Sequence, residues 1–131
     1  MSVPPDALSA LAIFALDHGV ASIERGGPLI PMLIAETGST RTLDRFVAER
    51  LDEALALARD AARSTPADRV VVVYDGYVTL DGHRSDALYA EVAERDEPVT
   101  HLFVHRYAPA GLRRRNRAVG RPAYLGSTPT P

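Results

Sequence analysis

The sequence predicts an α+β domain: an antiparallel sheet of about five strands with two helices packed on one face, in the order α-β-β-α-β-β-β. Three observations carry that expectation. Apolar residues recur at helical spacing in two stretches, one after Asp6 and one after Phe46. Short β-branched runs, bounded by Gly, Pro and Asp, lie between and beyond them. The chain has 131 residues, the length of one domain with a sizeable core. The alternative is a four-stranded mixed sheet in the order α-β-α-β-β-β. Residues 1–108 read as the domain and 109–131 as an Arg- and Pro-rich tail.

Val3-Pro4-Pro5-Asp6 opens the first helix, with Asp6 placed to act as N-cap. Leu8, Leu11, Ala12, Ala15 and Leu16 form its apolar stripe, joined by Ile23; His18-Gly19 is expected to be its frayed end. Arg25-Gly26-Gly27-Pro28 stops it. Leu29–Glu36 follows as a strand with Pro31 at an edge or bulge, because proline cannot donate to a ladder. Thr37-Gly38-Ser39-Thr40 turns the chain, and Arg41–Arg45 returns as the second strand of a hairpin.

The second helix is expected over Phe46–Arg63. Its apolar stripe holds Val47, Leu51, Ala54, Leu55, Ala58, Ala61 and Ala62, and its other side is charged, with Asp52 near arginines. Ser64-Thr65-Pro66 ends it. Val70–Tyr74 is apolar on both sides, so it needs cover on both faces. Ala87–Glu94 and Val99–Tyr107 complete the strands, separated by a turn at Asp96-Glu97-Pro98. In element order the chain is similar to small assembly domains of the roadblock and profilin-like type.

All 15 basic residues are arginine, and lysine, glutamine and cysteine are absent. Without lysine there is no Schiff base and no Walker phosphate-binding lysine. Without cysteine there is no thiol nucleophile, disulfide or zinc ribbon. No Gly-x-Ser-x-Gly elbow is present, and Gly26-Gly27 follows a helix instead of leading into one, so it is not a phosphate cradle. His101 and His105 lie four strand residues apart, about 13 Å, too far to share one zinc. They are expected at the core edge or exposed. No metal or other cofactor is expected.

Two Asp-Gly pairs, Asp75-Gly76 and Asp81-Gly82, compete for one hairpin turn. Asp81-Gly82 is favoured, because it leaves strands of similar length on both sides, with Asp75-Gly76 as a kink or bulge within the strand. That register sets Thr79 opposite Arg84, Tyr77 opposite Asp86, Asp75 opposite Leu88 and Tyr74 opposite Tyr89. Asp75 and Asp86 become diagonal neighbours about 7–8 Å apart. Asp75, Arg84, Asp86 and Glu91 are therefore the candidate catalytic residues for a metal-assisted hydrolase. The plainer account is two turn aspartates and an exposed Arg84–Asp86 ion pair.

Residues 109–131 carry five arginines (Arg113, Arg114, Arg115, Arg117 and Arg121) and no acid. That charge of +5 leaves −7 for the other 108 residues, against a total of −2. These arginines are the candidate binding residues, for nucleic acid, anionic lipid or an acidic protein surface, unless the tail folds back on the acidic body. The leading expectation is a cytoplasmic, non-enzymatic protein-interaction or assembly module that forms a homodimer. The Met1–Phe14 start lacks basic residues, and the uncharged run Ala7–Leu16 is short for a span. No membrane partner is expected.

Overall fold

A computed structural model of the chain describes residues 4–112 and 114–130. Helix α1 (Asp6–Glu24) is followed by strands β1 (Met32–Thr37) and β2 (Thr40–Arg45), then by helix α2 (Leu51–Ser64). Strands β3 (Arg69–Leu80), β4 (His83–Glu94), β5 (Val99–Ala108), β6 (Arg117–Ala118) and β7 (Ala123–Pro129) complete the chain. The sheet is open and ordered β2-β1-β3-β4-β5, and both β6 and β7 pair with β5. Every pairing is antiparallel. The α+β class holds, and the mixed-sheet alternative does not.

The helices lie on opposite faces of the sheet, not together on one. Side chains alternate across a strand, and the two core clusters divide β1 and β3 by that alternation. Leu11, Leu16 and Ile23 of α1 pack with Met32, Ile34, Val71, Val73, Leu88 and Val92. Ala58 of α2 packs with Leu33 and Val72, flanked by Phe46, Val70 and Tyr74. The second apolar face of Val70–Tyr74 is thus covered by α2.

Several boundaries differ from expectation for local reasons. Pro5 sits at the N-cap of α1 and Asp6 in its first turn, where its charge meets the helix's positive end. The helix does not fray at Gly19, because that residue is the close approach to the sheet. A Cβ there would lie 3.0 Å from Leu88 Cδ1 and 3.2 Å from Val73 Cγ1. By length and composition α1 could cross a membrane, but in this fold Leu8, Leu11, Ala12, Ala15 and Leu16 are buried in the core. Helix α2 starts at Leu51, not Phe46, because the Phe46 amide extends the β1–β2 ladder to the Pro31 carbonyl (3.0 Å). Val47 is left 76% exposed.

The segment expected to be a tail joins the sheet. Strand β7 shields β5 from Val99 to Val104, with a bulge at Leu102/Phe103. Its Tyr124 packs against the Phe103 ring and hydrogen-bonds His101 Nδ1 (2.9 Å). The Thr130 amide closes the strand onto the Pro98 carbonyl (2.8 Å).

Candidate functional site

The β3–β4 hairpin carries the sequence-predicted catalytic candidates. Asp81 and Gly82 both adopt positive φ (52° and 79°), the two-residue turn such a pair favours. The ladder then runs in the expected register, with Thr79↔Arg84, Tyr77↔Asp86, Asp75↔Leu88 and Tyr74↔Tyr89. Gly76 pairs with Ala87 without a bulge. Glycine lets the Tyr89 ring lie close over the strand there, with Cε2 3.1 Å from where a Cβ would stand, so a side chain would push the ring aside.

Alternation puts Asp75, Arg84 and Asp86 on the α1 side of the sheet, while Glu91 projects from the α2 side. The Tyr107 hydroxyl donates to Asp75 Oδ1 (2.8 Å). Burial pushes the Asp75 carboxyl up, Tyr107 opposes the shift, and the charge of Asp86 adds to it. Arg84 and Asp86 form no ion pair; the Arg84 guanidinium lies over the Tyr77 ring, 3.9 Å from its centroid. Asp75 borders a cavity of about 340 Å³ with Ile23, Leu29, Tyr107 and Asn116, and neither Arg84 nor Asp86 lines it. Among the described residues no three His, Asp or Glu side chains gather to hold a metal ion. The four candidates therefore do not converge on one chemical centre.

Both strand histidines are buried, flanking Phe103 on the α1 side of β5. His105 Nε2 must carry the proton, since it bonds the Gly120 carbonyl (3.0 Å), which can only accept. The contact anchors the C-terminal segment to the core.

Glu91 belongs to a network that the sequence did not announce. Arg59 of α2 grips it at both oxygens (3.0 and 2.7 Å), and the Tyr74 hydroxyl donates to Oε2 (2.9 Å). Burial raises the Tyr74 phenol, and the adjoining Glu91 charge raises it further. Tyr74 stacks on Tyr89, with ring centroids 5.4 Å apart. This network borders a groove of about 940 Å³ between α2 and the sheet, whose walls include Arg69, Glu94 and Thr130. On the α1 side, Glu36 is 7% exposed and held by Arg41 and Arg69, at 2.6 Å each. Burial opposes ionisation of Glu36, but the two guanidinium hydrogen bonds prevail and hold it below its usual range.

The C-terminal arginines differ from these. Arg41, Arg50, Arg59, Arg63, Arg69 and Arg95 each lie against a carboxylate. Arg50 pairs with Asp52 (3.1 Å), but from the extended N-cap position two residues away and not at the helical spacing expected in α2. Arg114, Arg115, Arg117 and Arg121 are all exposed, and among the described residues none has an ion pair. Arg113 lies outside the described residues. Folding back onto the acidic body has not neutralised this segment.

The segment is nevertheless fixed in place. Asn116 Nδ2 donates to the Ile23 carbonyl at the end of α1 (2.9 Å), and its Oδ1 accepts from the Ala110 amide (2.6 Å). The Val119 amide donates to the Arg106 carbonyl (2.9 Å), and β6 pairs with Tyr107 and Ala108. Exposed Arg25 lies two residues beyond the Ile23 anchor. The Ile23 partner of Asn116 lies 93 positions away, so no local pattern could have revealed that anchor.

No family model, no curated protein and no solved structure matches this chain.

Proposed function

We propose that this chain is a non-enzymatic interaction module whose contact surface is the arginine segment 114–121 and whose partner is polyanionic. One observation carries the reading: four exposed arginines stand without carboxylates on a segment tied to the core, while most other arginines of the molecule are paired. Guanidinium groups present forked donors suited to phosphate, sulfate and carboxylate, and an anchored backbone lowers the ordering entropy lost on binding. A cytoplasmic location belongs to the same proposal. Homodimerisation, expected because a second face needed cover, is not needed by this reading, since α2 covers that face.

The test is retention on immobilised heparin, a polysulfate that stands in for the partner's charge. The wild-type chain is expected to bind and to elute with rising salt. Replacing Arg114, Arg115, Arg117 and Arg121 together by Ala should remove retention while leaving far-UV circular dichroism unchanged. Retention that survives this replacement would place the contact surface elsewhere.

A further inference from the structure

We infer that the polyanionic partner is the surface of an anionic lipid bilayer, entered by Leu112 while the neighbouring arginines hold headgroup phosphates. The inference rests on the reading of segment 114–121 as the contact surface and names what that surface meets. Its distinct observation is an apolar one. The Gly111 amide donates to the Arg114 carbonyl (3.0 Å) and the Arg114 amide to the Gly111 carbonyl (3.3 Å). Leu112, a turn residue next to Gly111, is fully exposed. Val119 and Leu125 of the same segment are exposed as well, and residues 109–131 contain no acid.

The root of this turn is fixed, because Asn116 ties both Ala110 and the end of α1. Leu112 therefore projects from a supported base. A nucleic acid would reward the arginines, but it rewards an inserted leucine only where its bases unstack. A flat acidic protein surface gives an exposed leucine nothing. The bilayer interface rewards both groups at once, since apolar side chains enter the acyl boundary and basic ones sit at the headgroups. Charge also orients the molecule. The body at −7 is repelled by the same surface that attracts the segment at +5, so the segment faces it. The short uncharged run Ala7–Leu16 argues against a membrane span, but surface contact through one turn needs no such run.

The experiment uses the full chain and co-sedimentation with two kinds of vesicle. One is phosphatidylcholine alone, the other phosphatidylcholine mixed with phosphatidylglycerol. The wild type should partition only to the phosphatidylglycerol vesicles. Leu112→Asn, which leaves the charge unchanged, should lower that partition at least about tenfold, the effect of keeping one leucine out of an apolar phase, with heparin retention kept. Because Leu112 is fully exposed, the variant is expected to fold, and circular dichroism checks it. Equal partition of wild type and Leu112→Asn would overturn the inference. So would tighter binding to a DNA duplex that ignores Leu112, which would make nucleic acid the partner. Loss of heparin dependence on the arginines, by contrast, would overturn the underlying reading.

Discussion

The ion-paired arginines of the body and the arginines of the C-terminal segment are one residue type under two physical regimes. Arg69 reaches Glu36 and approaches Glu94, and Arg59 grips Glu91 at both oxygens. Such arginines are structural, because their guanidinium donors are used inside the fold. Arg114, Arg115, Arg117 and Arg121 make no such contacts and still sit on a segment held by Asn116, His105 and β6. The difference teaches that composition alone does not separate a structural arginine from a binding one. What separates Arg59 and Arg69 from the segment arginines is where the nearest carboxylate lies after folding.

That comparison breaks first at Glu36. Glu36→Ala leaves two guanidinium groups beside an empty site and should destabilise the fold by roughly 3 kcal/mol, the lower end for a broken buried pair. Chemical denaturation measures it, and a loss within about 0.5 kcal/mol, the range of ordinary surface changes, would mean the cluster is not structural. The pH dependence has a fixed sign. Glu36 is held below the carboxylate value of 4.5, so its contribution is full above that pH and is lost as the pH falls through the depressed value. Asp75 acts in the opposite sense. Its raised carboxyl makes its ionisation costly as pH rises beyond 3.8, so Asp75→Asn should keep or raise neutral-pH stability and flatten that part of the profile.

A smaller effect is expected at Asn116. Asn116→Ala removes the contacts to Ile23 and Ala110 and should cost about 1–2 kcal/mol, two neutral hydrogen bonds. Amide exchange should rise in residues 109–121, with the strands β3 and β4 unaffected. Smallest of all is the effect of the segment arginines on stability. Each Ala replacement there should stay within about 0.5 kcal/mol, so any larger change in melting would show a structural contact among them.

How much of this was legible in the sequence varies by the range of the interaction. The Asp81-Gly82 turn fixed the whole β3–β4 register, because one short turn dictates which residues face each other over twelve pairs. The need for cover on both sides of Val70–Tyr74 was visible too, but not that each helix takes one side. That choice depends on how α1 and α2 reach the sheet, which periodicity does not encode. Strand β7 was missed because Ala123–Pro129 is rich in Gly, Ser, Thr and Pro and is a strand only by virtue of β5 beside it. Of the candidate catalytic set, the placement of Asp75, Arg84 and Asp86 on one face was legible. The bonds of Glu91 to Arg59 and Tyr74 were not, since they join residues 32 and 17 positions apart.

The claim that position, not net charge, makes the segment a contact surface has a direct measurement. Two double variants remove the same charge: Arg115→Ala with Arg117→Ala, and Arg50→Ala with Arg63→Ala, whose partners Asp52 and Asp60 make only surface pairs. Heparin retention is compared between them at one pH across a salt gradient. The account predicts that the segment pair elutes at clearly lower salt than the wild type and that the body pair elutes with it. Equal losses of retention in the two variants would contradict it.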